Sequence, residues 1–319
     1  MDIGRLRTLR EFADRGSVTA AAKALHCTPS AVSQQLRALQ GDVGLALTEP
    51  AGRGLRLTDA GRALVARADD VLAALERAES ELDTYRSAPR GRVRVAIFQS
   101  AGLMLLPGLL HRTAEFDGLD IIVRDIDITP PDVPALVADY DIVVAHRDEH
   151  APSLGSDRLE SRHLLREPLD VALPAGHRLA KRRRIELAEL ADERWISVNA
   201  GFPVDDILQS LIIRTGVRPQ VVQRINDFRI TERLVAAGHG IALLPRYTMD
   251  TRRGSGLVGR PLAGIKAARH VEAVYRLGAS SRPAVAKVLD ALAEEVAVLT
   301  GELDSSGAPA RSRARRRSA

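Results

Sequence analysis

The sequence predicts an α/β protein in two parts: an N-terminal winged helix-turn-helix carried on a long linker helix, followed by a two-lobed α/β domain. Three observations lead there. Short amphipathic helices and a glycine-rich hairpin fill the first sixty residues, a helix with a heptad stripe follows, and from Val93 onward β-rich and helical runs alternate in two sets. With 319 residues, 45% of them hydrophobic and 27% charged, the chain is long enough for two or three units with real cores. The expected units are 1–58 for the winged helix-turn-helix, 59–91 for the linker helix and hinge, 92–302 for the two-lobed domain and 303–319 for a disordered basic tail.

In the head, Leu6, Leu9 and Phe12 lie on one face of a first helix that Gly16 stops. Ser17 caps a second through Thr19–Leu25, whose small residues permit close approach by a neighbour. The third starts most clearly: Thr28 is the cap, and Pro29 sits where a missing N–H costs nothing. It runs from Ser30 to about Gln40, with Val32, Leu36 and Leu39 inward and Ser30, Ser33, Gln34 and Arg37 outward. Two such helices joined by His26-Cys27-Thr28 form a helix-turn-helix whose polar face suits a DNA major groove. Pro50-Ala51-Gly52-Arg53-Gly54 then breaks the pattern as a loop, and Leu55-Arg56-Leu57 alternates as a short strand. The result reads as a wing with Arg53 and Arg56 available to phosphates.

Thr58 caps a helix from Asp59 to about Ser87, in which Leu64, Ala68, Val71, Leu75, Ala78, Leu82 and Tyr85 are spaced alternately four and three. That seam is expected to pair with a second copy. Ala88-Pro89-Arg90-Gly91 is the linker. Beyond it, strands are expected at Val93–Phe98, Asp120–Ile126, Asp141–Ala145, Val171–Leu173, Trp195–Val198, Val221–Arg224, Ile241–Leu244 and Val271–Leu277. Helices are expected around Met104–Phe116, Pro134–Tyr140, Ile185–Ala191, Val204–Thr215, Ile230–Ala237 and Pro283–Leu299. The alternation predicts parallel sheets covered on both faces.

Composition excludes several classes. Cys27 is the only cysteine, so there is no intrachain disulfide and no multi-cysteine metal site, which points to a reducing, cytoplasmic setting. The longest apolar stretch, Ala101–Leu110, is too short to span a bilayer, and the charged N-terminus does not read as an export signal. The net charge of +5 is concentrated in the tail, where Arg311, Arg313, Arg315, Arg316 and Arg317 face one acid, Asp304. Such a segment is free to touch DNA phosphates.

These residues resemble the LysR-type transcriptional regulators over nearly the whole chain. The resemblance rests on Gly16-Ser17-Val18-Thr19-Ala20-Ala21-Ala22, on Leu25 through Leu36, on Gly52-Arg53-Gly54-Leu55-Arg56-Leu57-Thr58-Asp59-Ala60-Gly61, and farther on Pro174-Ala175-Gly176-His177 and Ala236 through Pro245. It departs at Gly41-Asp42 and Pro50, where the family commonly has an acidic run and a basic residue. The resemblance implies a sequence-specific regulator of promoter DNA, a dimer or dimer of dimers, and an effector domain similar to periplasmic binding proteins that holds a small molecule between its lobes.

On that reading Thr28, Ser30, Ser33, Gln34, Arg37, Arg53 and Arg56 contact DNA, and Leu64, Ala68, Val71, Leu75, Ala78 and Leu82 form the dimer seam. Ligands of such sheets collect at the carboxyl ends of strands, which gives Gln99, Ser100, Ala101, Asp127, Ile128 and His146 from one lobe and Asn199, Phe202, Asn226 and Phe228 from the other. The resemblance supports Ser100 most directly, and Asp127 suits a ligand with an amine or simply caps its loop. Cys27 reads as a small turn residue rather than a redox sensor. His146 and His150, four apart, read as loop residues, and no metal or cofactor is expected. No GxSxG, HExxH or P-loop motif is present, so no enzyme is expected. A periplasmic solute receptor accounts only for Val93–Leu299. A nonspecific architectural DNA-binding protein, with the α/β part serving oligomerisation, is the alternative.

Overall fold

The computed structural model describes residues 1–306 except 53, 85–89, 203, 206–207, 209–215, 217–219 and 265, and for 79–84 and 302–306 the backbone alone. Residues 307–319 of the basic tail and most of the helix expected at Val204–Thr215 therefore lie outside the described residues, while 303–306, expected in the disordered tail, continue the last helix.

Three capped helices build the head. α1 (Ile3–Arg15) begins at Asp2, whose carboxylate accepts from the Arg5 amide, and ends at Gly16 with φ 66°. α2 (Val18–Ala24) begins at Ser17, which accepts from the Ala20 amide. α3 (Pro29–Val43) begins at Thr28, whose hydroxyl accepts from the Ala31 amide at 3.2 Å, and runs three residues past the expected end. The turn between α2 and α3 is tight because His26 takes φ 51°. There the amides of His26 and Cys27 close back on the carbonyls of Lys23 and Ala22. Leu9, Phe12, Val32, Leu36 and Leu39 meet in one core beneath these helices.

The wing is a hairpin of β1 (Thr48–Ala51) and β2 (Gly54–Leu57). Pro50 and Ala51, expected in the loop, are paired in β1. Proline is tolerated there because the hairpin strand is an edge. Gln40 Oε1 on α3 accepts from the Leu47 and Thr48 amides at 2.9 Å each, which ties the end of α3 to the start of the wing. α4 (Asp59–Thr84) starts where Thr58 Oγ1 accepts from the Gly61 amide and donates to Ala46 O.

The α/β domain has two lobes joined by two long strands. In lobe I, β3 (Gly91–Ile97) lies parallel to β4 (Leu119–Asp125) and to β5 (Ile142–Asp148). β6 (Leu159–Pro174) and β11 (Ala268–Arg276) are antiparallel to each other, and β11 is antiparallel to β5. The expectation of wholly parallel sheets is thus corrected: β6 and β11 return the chain between lobes in the opposite sense. β6 also extends far upstream of the expected Val171–Leu173. Its second half pairs in lobe II with β9 (Ala242–Pro245) and with β10 (Leu257–Arg260), a strand not foreseen. β7 (Arg194–Ser197) and β8 (Gln220–Arg224) are parallel.

Period-two alternation fixes the faces of lobe I. Val93, Val95 and Ile97 face α5 (Gln99–Thr113) and α8 (Pro283–Ser306), whereas Ala96, Val143 and Val274 face α6 (Val133–Leu136). The segment expected as a helix at Ile185–Ala191 is a single 3-10 turn, Leu187–Leu190, and α7 (Phe228–Ala236) covers lobe II.

A Cβ on Gly61 would stand 2.1 Å from the Leu47 carbonyl oxygen. Gly61→Ala is therefore expected to destabilise the head by about 1–3 kcal/mol, lowering the first urea transition followed by circular dichroism. An unchanged midpoint would show that α4 does not rest on Leu47.

Candidate functional site

Two surfaces gather the residues singled out above. On α3, Ser30, Gln34 and Arg37 are exposed and Ser33 is half-buried, all opposite the buried Val32, Leu36 and Leu39. The Ser30 hydroxyl lies 2.9 Å from that of Thr28, so the cap also orients the first polar side chain of the face. Among the described residues Arg37 has no ion-pair partner, which leaves its guanidinium for a base edge or phosphate. Gln35 turns to the flank and accepts from the Thr8 hydroxyl on α1. Arg56 faces Glu49 across the hairpin at 2.8 Å. Both are largely exposed, so that pair is weak and yields readily to a phosphate. Arg53 lies outside the described residues. Cys27 is half-buried against the head core.

The heptad seam on α4 divides. Ala68 is 1% exposed and, with Leu64, packs into the head core, so those two expected dimer positions are taken up within the chain. The reason is geometric: the first turns of α4 lie over α1, and a heptad stripe does not specify which surface it will meet. Farther along, Val71 and Ala78 are exposed and Leu75 is half-buried. The side chain of Leu82, and all of Tyr85, lie outside the description.

The second surface is a cleft between the lobes. Gln99, Ser100, Asp127, Ile128 and His146 line it from lobe I, and Phe202, Asn226 and Phe228 from lobe II. Two expected members do not: Ala101 is fully buried under β3, one helical step past the cleft, and Asn199 is exposed with its amide donated to Asn226 Oδ1. The lobes meet through two side-chain amides, Gln99 Nε2 to Asp227 Oδ2 and Asn226 Nδ2 to Asp127 Oδ2, each at 3.0 Å. Closed in this way, the cleft keeps about 30 Å³, room for a water or two.

Sequence reasoning missed Phe98, Val198, Val204 and above all Arg269. Arg269 is 1% exposed, stands 2.6 Å from the fully buried Glu167, and donates from Nη2 to Ser100 Oγ at 2.7 Å. Its guanidinium lies over the rings of Phe98 and Phe228, 4.9 and 5.8 Å from their centroids. Burial raises the Glu167 pKa, and Arg269 opposes the rise. Burial first, and Arg269 second, hold His146 well below its ordinary 6.5, so its imidazole is neutral. The His146 ring is tilted on Phe98 with centroids 4.5 Å apart, and its Nδ1 has no hydrogen-bond partner among the described residues. His150 is exposed and does not join it. Among the described residues no group of three or more His, Cys, Asp or Glu is arranged to hold a metal.

Lobe I is also tied to the head. Asp14 on α1 accepts from Arg158 at 2.8 Å and from Arg276 at 2.7 Å, Arg158 also pairs with Asp69 on α4, and Arg15 reaches Asp139 at 2.9 Å.

A winged helix-turn-helix ion-paired to a two-lobed domain with a cleft defines a ligand-responsive DNA-binding protein. The bacterial regulatory helix-turn-helix protein family of lysR type matches residues 3–62, and the LysR substrate binding domain matches residues 86–297. The chain belongs to the LysR family of transcriptional regulators. It is 29% identical over 270 residues to the Hca operon transcriptional activator HcaR of Escherichia coli (strain K12), covering 83% of this chain and 88% of that one. It is 26% identical over 249 residues to the transcriptional dual regulator GltC of Bacillus subtilis (strain 168), covering 78% and 82%. Among solved structures, a full-length OxyR of Pseudomonas aeruginosa shares the fold with a TM-score of 0.63 at 18% identity, covering 93% of this chain and 97% of that one.

Two measurements probe the cleft. His146 is protonated below about 6.5 in the unfolded chain but resists protonation when folded, so the unfolded state binds more protons there. Stability is expected to fall as pH drops below 6.5, this one group contributing a slope of up to about 1.4 kcal/mol per pH unit. His146→Leu should flatten that part of the urea-midpoint profile, and an unaltered profile would contradict its burial. Removing one member of the buried pair, as in Arg269→Met, is expected to cost about 3–5 kcal/mol in urea unfolding followed by Trp195 fluorescence. The double change with Glu167→Gln should cost less than the sum of the single ones.

Proposed function

We propose that this regulator reads an operator through the outer face of α3 and answers to a small molecule held in the interlobe cleft. Ser30, Ser33, Gln34 and Arg37 enter the major groove, with Thr28 fixing the helix start and Arg53 and Arg56 holding the flanking backbone. Gln34 reads adenine and Arg37 reads guanine or phosphate. The observation that carries the regulatory part is Asp14, which joins the head to Arg158 and Arg276 of lobe I. A change in how the lobes meet therefore has a polar route to the DNA-binding helices.

The protein acts as a homo-oligomer. The part of the α4 stripe beyond the head core, exposed Val71 and Ala78 with half-buried Leu75, supplies one contact between copies. Leu103 and Leu110, exposed on α5 beside the edge strand β4, supply another. Among the described residues no helix is long and apolar enough to cross a membrane. A promoter-binding role places the protein in the cytoplasm and assigns it no reaction of its own. The units follow the boundaries 1–58, 59–91, 92–302 and 303–319, the last adding phosphate contacts.

Gln34→Ala should relax preference at one base pair of each half-site by about 1–3 kcal/mol while leaving nonspecific affinity intact. A footprint of the Ser33→Ala/Gln34→Ala protein identical to that of the parent would refute the assignment to α3. Leu75→Glu places a charge in the seam and should shift the sedimentation profile toward monomer, with operator affinity falling in parallel.

A further inference from the structure

The chemistry around the closed cleft narrows what it accepts, given the reading of that cleft as the effector site. Among the described residues Arg269 is the one cation lining it, and its charge is already met: Glu167 bridges Nε and Nη2, and Ser100 accepts from Nη2. A ligand carboxylate would have to compete with a carboxylate already buried in place. His146 adds no charge, because its imidazole is neutral. At the rim the balance is negative. Asp127 lines the cleft and accepts from the neutral amide of Asn226, and Asp227, beside Asn226 in sequence, accepts from that of Gln99 at Oδ2 while its Oδ1 caps α7. Two further cations near the cleft have their charges met: Arg229 pairs with Glu232 at 3.1 Å, and Arg224, which donates to the carbonyl of the wall residue Val198, pairs with Asp205 at 2.8 Å. The walls between rim and floor are apolar: Ile128, Val198, Phe202, Val204 and Phe228.

Two unspent polar groups face this space. The Ser100 hydroxyl accepts from Arg269, which leaves its own proton to donate. His146 is 5% exposed and has a ring nitrogen without a partner among the described residues. From these features we infer that the effector is a primary amine with an apolar body. Its ammonium replaces the side-chain amides between Asp127 and Asp227, and its hydrocarbon part lies against Phe202, Phe228 and Ile128. An ammonium carries a full charge and three donors to Asp127 Oδ2 and Asp227 Oδ2, each of which now receives one uncharged side-chain N–H, while Asp227 Oδ1 keeps the α7 amides; the exchange is favourable and opens the amide contacts between lobes.

The test uses the full-length protein and charge-opposed pairs of similar size: phenethylamine against phenylacetate, and isoamylamine against isovalerate. Binding is read from the fluorescence of Trp195, the one tryptophan, which is buried on β7 three residues before Val198 of the cleft wall. The amine of each pair is expected to bind roughly tenfold or more tightly than the acid. Asp127→Asn, at an exposed position, should remove most of that advantage. Glu167→Gln leaves the Arg269 charge unmet and should raise acid affinity by a similar factor. Phe202→Ala should weaken every ligand that enters the cleft.

Acids binding as well as or better than amines, with Phe202→Ala weakening them, would overturn the amine assignment and leave the cleft reading standing. Amines whose binding is untouched by Phe202→Ala and Asp127→Asn would overturn the cleft reading itself. Failure of both amines to bind at millimolar concentration would overturn the amine class.

Discussion

A guanidinium and a carboxylate face each other where two strands pass from one lobe to the other. Arg269 on β11 and Glu167 on β6 are register partners in the antiparallel ladder, and neither is more than 1% exposed. A charge so deep is tolerable only with its partner in place, so the pair fixes the register of the crossing strands as firmly as their backbone bonds do. The cleft floor is assembled around it. Ser100 is oriented by Arg269, Phe98 and Phe228 stack on it, and His146 stays neutral partly because of it. The ligand surface is in this sense a lining laid over a structural ion pair.

Local rules made much of the molecule legible. Thr28-Pro29 and Ser17 announce helix starts through groups adjacent in sequence, and the structure shows those caps formed. The ends of β3, β4 and β5 are short-range features too, so Ser100, Asp127 and His146 follow from reading strand ends, with the family resemblance adding to Ser100, and all three line the cleft. Arg269 was not, because its meaning depends on a partner 102 residues away, and a lone arginine next to a β-rich run reads as a surface residue. The wing is a milder case. Pro50 reads as a breaker, and only the pairing of an edge hairpin shows that it can stand in a strand. The α4 stripe failed differently: Leu64 and Ala68 have the right spacing for a partner helix, yet the partner they meet is their own head. Spacing encodes a face, and tertiary contact decides its neighbour.

The head and lobe I are linked by a set of charges. Asp14, Asp69, Arg158 and Arg276 form a connected set. Close apposition completes it: Gly278 sits against α4 so tightly that a Cβ there would lie 2.4 Å from that of Ala73. Polar joints of this sort can exchange partners without unfolding either side, whereas the hydrophobic cores beneath them behave as rigid bodies.

The crossing strands also impose an order on synthesis. β11 inserts between β5 and β6, yet it is made only after the whole of lobe II has left the ribosome. The head, whose helices are contiguous, can close early. Lobe I must wait with the edges of β5 and β6 unpaired and the buried carboxylate of Glu167 still in water. A nascent chain of this protein therefore carries a finished DNA-binding head and an open, sticky half-sheet until its last strand arrives.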